Sequence, residues 1–194
     1  MSAGKMKAPA GNPVKIIVNY GKADLDVIND ANMEFKYSKL YADEIGKLIL
    51  DSKYSTVTLH KSGHLTLDSK YDGINIDELE TLKSISKYTN YKIGLLTGNF
   101  DLDTGYGSVR IGKVDPKFEN ISIINSYGGI VLGLNELNYK LNADCDYCEV
   151  SYPENRYKGN KIRDNHKFSL EGNVGTGGGK VSITSRYGGV KLTE

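Results

Sequence analysis

Few residues in this chain are equipped for chemistry. Cys145-Asp-Tyr-Cys148 is a CxxC, the spacing of thiol–disulfide exchange sites and of half a zinc knuckle. Exchange needs a thiol held at low pKa, usually at a helix N-terminus, but here Asp144 and Asp146 flank Cys145 and oppose thiolate formation. Zinc needs about four ligands, and a second pair is missing. A local disulfide or two free thiols remain. The histidines do not gather: His60 and His64 flank Lys61-Ser-Gly63 in a bend, and His166 lies far away. The run Gly175 to Gly179 resembles a dinucleotide fingerprint only loosely, since it lies between strands and opens no helix. The expectation is no catalytic residue, no metal and no cofactor. One stretch could overturn it. Pro153 to Lys167 carries Glu154, Arg156, Arg163, Asp164 and His166, enough charge for a polysaccharide hydrolase or lyase if the carboxylates converge.

The elements that must position these residues are set by a repeat. Tyr20, Tyr37, Tyr54, Tyr71 and Tyr88 follow each other at 17 residues, then Tyr106, Tyr127 and Tyr147 at 18, 21 and 20. Tyr187 comes 40 residues later, leaving one coil without the Tyr, where Phe168 is the candidate. Leu48-Ile-Leu50-Asp-Ser52-Lys-Tyr54-Ser-Thr-Val57-Thr-Leu59 aligns with Leu65 to Ile76, Phe100 to Ile111, Ile121 to Leu132 and Val181 to Leu192. The unit is apolar-x-apolar-x-Ser/Thr-x-Tyr-x-x-apolar-x-apolar. Alternation at period two makes each half a short strand, and the step of three after the Tyr requires a corner. Gly73, Gly107, Gly128-Gly129 and Gly188-Gly189 sit in that step, where positive φ or close backbone approach is expected.

A coil of this length has a perimeter of about 50 Å, too narrow for a helix. The sequence therefore predicts an all-β, single-stranded, right-handed parallel β-helix over 14–194, about ten coils of 17 to 21 residues. Residues 1–13 read as a flexible leader or cloning scar. The Tyr ladder (Tyr54, Tyr71, Tyr88, Tyr106, Tyr127, Tyr147, Tyr187) shares the parity of the apolar positions and reads as a stacked corner column; an aromatic platform for sugar rings is the functional alternative. Ser52, Ser69, Ser86, Thr104 and Ser185 have the same parity and predict an internal hydroxyl ladder. Asp51, Asp68, Asp103 and Asp144, with Lys36, Lys53, Lys70 and Lys87, point outward as a mutually paired charged face. Asp51 and Asp68 could instead hold Ca²⁺, and Lys53, Lys70 and Lys87 could meet an acidic glycan.

Composition restricts partners further. A net charge of +1 gives no reason to expect nucleic acid, and no apolar run approaches the length of a membrane span. The Ser-x-Tyr-Gly-Gly-Ile-x-Leu blocks, together with the Gly175 to Gly179 run leading into the final strand pair, resemble the adhesin-like β-helix domains of bacterial envelope proteins, related to auto-transporter adhesin head (GIN) domains. The resemblance spans about Val14 to Leu192. It implies an extracytoplasmic module, secreted, periplasmic or surface-tethered, that binds glycan or a surface protein or acts as a scaffold, and it transfers no site residue. Because the chain stops two residues after Leu192, the last rung is expected to be open and covered by a partner, by a second copy in end-to-end association, or by further sequence.

Overall fold

The structure, a computed structural model, describes residues 12–193, so the leader expected at 1–13 lies almost wholly outside the described residues. The described residues are all strand, bend and turn, with no helix. The chain enters along β1 (Val14–Asn19) and then runs through four long, bent strands, β2 (Lys22–Lys36), β3 (Lys39–Lys53), β4 (Thr56–Lys70) and β5 (Gly73–Lys87). Each long strand supplies the second face of one coil and the first face of the next. From there the faces separate into β6 (Asn90–Leu96), β7 (Phe100–Gly105), β8 (Val109–Val114), β9 (Asn120–Ser126) and β10 (Ile130–Gly133). All of these neighbours pair in parallel, each residue over its counterpart one coil back, as in Leu50↔Leu67 and Ser52↔Ser69. The chain is a β-solenoid.

Its core is a stack of inward Leu, Ile and Val from both faces, including Leu48, Leu50, Val57, Leu59, Leu65 and Leu67. The predicted hydroxyl ladder is internal too: Ser52, Ser69, Ser86, Thr104 and Ser185 are all buried.

The chain winds fewer coils than the ten expected. The difference lies in the last third. After β10 come β11 (Tyr139–Asp146), β12 (Val150–Ser151), β13 (Tyr157–Asp164), β14 (Lys167–Val174), β15 (Gly179–Arg186) and β16 (Val190–Thr193). The stacking order on the first face is β7-β9-β15-β11-β14-β13, and on the second β6-β8-β10-β16-β12. The C-terminal rung, β15 with β16, therefore lies between the rung of β9 and β10 and the rung of β11 and β12, in parallel with both.

This corrects the expectation of an open last rung, because both edges of β15 are paired. The next two strands after β12 form an antiparallel hairpin across the end of the rod, β14 on β11 and β13 on β14. Phe168, Leu170 and Val174 are buried opposite Cys145, Ala143 and Tyr139. The outer strand carries Lys158, Lys161, Arg163 and Asp164, all exposed, and charge on an outermost strand discourages pairing with another chain.

Candidate functional site

The tyrosine column is the most regular feature of the surface. Each Tyr of the column donates its backbone N–H to the carbonyl of the residue preceding the next Tyr in the stack, as Tyr54 does to Lys70 at 3.0 Å, except that the last, Tyr147, donates to the His166 carbonyl at 2.8 Å, so the ladder of hydrogen bonds runs through the corner. Each sits in the left-handed region, with φ from 52 to 61°. This conformation costs about 1–2 kcal/mol for a residue with a Cβ. Ring stacking offsets it: Tyr20, Tyr37, Tyr54, Tyr71, Tyr88, Tyr106, Tyr127, Tyr187 and Tyr147 stack in that order with centroids 4.6 to 5.1 Å apart and planes within 15°. Offset pairs contribute about 0.5–1.5 kcal/mol each.

The inward parity expected of these tyrosines is corrected, since those from Tyr37 onward are 42 to 53 % exposed. A left-handed residue resets the alternation, so the ring points out and the next residue points in. Positive φ falls on the tyrosines, while the corner glycines Gly107, Gly128 and Gly188 show the other expected feature, close backbone approach, with a Cβ placed 1.8 to 2.0 Å from a carbonyl oxygen of the neighbouring rung. Ring faces cover one another, so the column offers phenol edges and hydroxyls along its length. A sugar platform needs open faces, and among the described residues only ring faces at the ends of the column are free of a stacked neighbour, Tyr20 at one end and His166, stacked on Tyr147 at 4.2 Å, at the other. Phe168 does not fill the coil that lacks a Tyr; His166 takes that place in the stack, and Phe168 is core.

Across three of the corners, the residue two before the Tyr is hydrogen-bonded to the residue after it. Ser69 Oγ donates to Asp72 Oδ2 at 2.6 Å, Asn125 Nδ2 to the Gly128 carbonyl at 2.6 Å, and Ser185 Oγ to the Gly188 carbonyl at 2.7 Å. Cys145 and Cys148 occupy these same two positions and are joined by a disulfide. The CxxC is thus a corner clasp. Cys145→Ser with Cys148→Gly copies the Ser185–Gly188 clasp, and is expected to keep the fold with a loss within about 2 kcal/mol, the cross-linking entropy of so short a loop. Urea melts check this; a much larger loss would assign the disulfide a further role.

In the first half of the rod the residue after the Tyr is polar and buried: Ser38, Ser55, Asp72 and Thr89. Asp72 Oδ1 accepts from the Ser55 N–H at 2.6 Å, and Ser55 Oγ from the Ser38 N–H at 3.1 Å. Burial pushes the Asp72 carboxyl above its ordinary 3.8, against the lowering effect of the Ser69 and Ser55 hydrogen bonds. A carboxyl whose folded pKa is raised contributes stability that is complete below the unfolded pKa and is lost as pH rises through the folded value. Wild type should therefore lose stability relative to Asp72→Asn as pH climbs out of the ordinary carboxylate range. Denaturant midpoints for the two proteins that stay parallel across that range would refute the assignment.

The charged columns point outward as expected. Lys36 pairs with Glu34, and Lys53 with Asp51 at 3.5 Å, while Lys70 and Lys87 make no ion pair among the described residues. At the opposite corner, His60-Lys61 lies between Asp43-Glu44 and Asp77-Glu78 on adjacent rungs; His60 Nδ1 is 2.9 Å from Asp77 and Lys61 3.3 Å from Glu78. His64 Nδ1 meets Thr81 Oγ1 at 2.6 Å. These are exposed contacts that favour this register. No group of three or more His, Cys, Asp or Glu among the described residues is placed to hold a metal ion.

The charged stretch from Pro153 to Lys167 enters the capping hairpin. Arg156 donates to the carbonyls of Glu136 and Leu137 at 2.8 and 3.1 Å, tying the hairpin to the loop after β10. Glu154 is 3.5 Å from Lys161, and Asp164 lies at the far end of β13, about 25 Å from Arg156 along extended chain. Glu154, Arg156 and Asp164 are not brought together. No family profile, curated protein or solved structure matches this chain.

Two features have no counterpart in the sequence reading. A groove of about 410 Å³ on the first face is lined by Ile124, Asp144, Asp146, Lys167, Thr184 and Arg186, where the inserted rung meets its neighbours. Arg186 Nε lies 3.1 Å from Asp146, and His166 Nε2 3.3 Å from the same carboxylate, so its charges are largely mutually satisfied. The second feature is a row of unpaired cations on the second face.

Proposed function

We propose that the chain is a non-catalytic, adhesin-like module of the cell envelope that binds an extended glycan or a surface protein along the rod, or holds partners apart as a scaffold. The observation that carries this reading is the packing of Pro153 to Lys167 as a cap, which leaves long regular faces and no gathering of Glu154, Asp164 and Arg156. The Cys145–Cys148 disulfide supports an oxidising, extracytoplasmic setting.

A glycan array with gel filtration tests the proposal. Retention of extended glycans or a surface protein without change to them is the expected result. Cleavage of a polysaccharide panel that disappears in Glu154→Gln or Asp164→Asn would replace the module with an enzyme.

A further inference from the structure

The strands β6, β8, β10 and β16 stack consecutively on the second face and contain Lys92, Arg110, Lys113 and Lys191 but no Asp or Glu. Lys92, Arg110, Val131 and Lys191 are successive partners across the rungs, so three of the cations form a line along the rod axis. All three are exposed, and none makes an ion pair or hydrogen bond among the described residues. This contrasts with the first face, where Glu34, Asp51 and Asp68 stand two residues before Lys36, Lys53 and Lys70. Lys92 and Arg110, on adjacent rungs about 4.8 Å apart, repel unless something neutralises them, Lys191 stands two rungs beyond Arg110, and none of the four strands supplies an opposite charge.

The strip is also bare. The positions two residues before Lys92, Arg110, Val131 and Lys191 are Asn90, Ser108, Gly129 and Gly189. Neither glycine has positive φ, and a Cβ would meet nothing within 4 Å at Gly189 and only a carbonyl at 3.9 Å at Gly129. The fold does not demand glycine at these two sites. What they provide is a flat strand surface beside Arg110 and Lys191, on which an extended chain can lie.

We infer that this strip binds an acidic polysaccharide, a linear glycan whose carboxylates recur along the rod axis, with Arg110 the bidentate contact and Lys92 and Lys191 its flanking charges. The inference rests on the binding-module reading and names its ligand class and surface. A nucleic acid fits less well. The strip has no aromatic face for a base to stack on, and a net charge of +1 supplies little steering field.

The test uses the full chain with polygalacturonate and its fully methyl-esterified form, the same backbone with and without charge, by calorimetry at low and high salt. Polygalacturonate should bind in a salt-sensitive way and the ester should not. Arg110→Glu with Lys191→Glu should weaken binding roughly tenfold or more, as charge reversal at a contact does, while Lys70→Glu with Lys87→Glu leaves it near wild type. Unchanged melting temperatures confirm that both variants are folded. Equal loss in both double variants, undiminished binding in the strip variant, equal binding of the ester, or equally tight binding of single-stranded DNA would overturn the assignment while leaving a binding module in place. If neither pectin form binds, the assignment fails; if a broad glycan and surface-protein screen is blank as well, the module reading fails with it.

Discussion

Gly128→Ala is expected to unfold the C-terminal part of the rod, whereas Gly129→Ala, one residue on, should be nearly silent. A Cβ at Gly128 would lie 1.8 Å from the Gly107 carbonyl oxygen and 2.6 Å from its carbon. Both atoms belong to backbone, and they cannot withdraw. The rungs on either side of that corner are tied by Tyr106 N–H to Ser126 O at 2.7 Å and Val109 N–H to Gly129 O at 2.9 Å. Relief requires lifting one rung off the next, which breaks several such bonds and opens the core beneath Ile130 and Val109. A loss of about 4–5 kcal/mol or more is the scale of such backbone clashes, against about 0.5 kcal/mol or less for an open surface position. Gly188→Ala belongs with Gly128→Ala, because its Cβ would lie 2.0 Å from the Gly128 carbonyl. Urea denaturation of the two single variants decides the matter; a Gly128→Ala protein within about 1 kcal/mol of wild type would mean that the corners do not approach this closely.

The winding was legible because equal spacing of one residue type is a statement about perimeter. Identical side chains stack on successive rungs only if each coil has the same length, and five tyrosines at 17 residues satisfy that condition. Their orientation was not legible from alternation, which assumes that every residue flips the chain by the same amount. A left-handed residue violates that assumption. The signal that could have revealed it is the residue after each Tyr: Gly21, Ser38, Ser55, Asp72, Thr89, Gly107, Gly128, Cys148 and Gly188, all small or polar as a crowded inward corner requires.

The order of the last rungs was hidden for a different reason. Ile121 to Leu132 and Val181 to Leu192 follow one pattern, so either suits the same neighbours and the repeat does not encode which lies next to which. Only the departure at Pro153 to Lys167 and the Gly-rich return hint that the chain doubles back. The basic strip lies outside the charged columns that precede each Tyr, because Lys92, Arg110 and Lys191 stand four residues after one, and the repeat places no fixed charge there: the same position holds Thr58, Asn75 and Val131 on other rungs.

Ending the chain at Gly178 is expected to act like a cut through the middle of the rod, although it removes only the last residues of the sequence. In a solenoid each rung meets its two neighbours, so loss of a terminal rung forfeits one interface. The rung of β15 and β16 forfeits two, one with β9 and β10 and one with β11 and β12. Val181, Ile183, Val190 and Leu192 are all buried there. At about 1.5–3 kcal/mol per side chain, their burial amounts to about 6–12 kcal/mol. That is comparable with the whole net stability of a typical domain, about 5–15 kcal/mol.

The truncated chain should therefore separate into a folded N-terminal array, through β10, and a C-terminal portion of low protection comprising β11 to β14. Hydrogen exchange should show fast amides over 139–174 beside slow ones over 40–80, and urea unfolding should resolve into two steps. The competing outcome is informative. The corner at Tyr147 matches the one at Tyr187, so β11 and β12 could close down onto β9 and β10 and restore a shorter rod. A single cooperative transition near the wild-type midpoint would show that closure, and would make the inserted rung a removable spacer instead of the element that joins the cap to the rod.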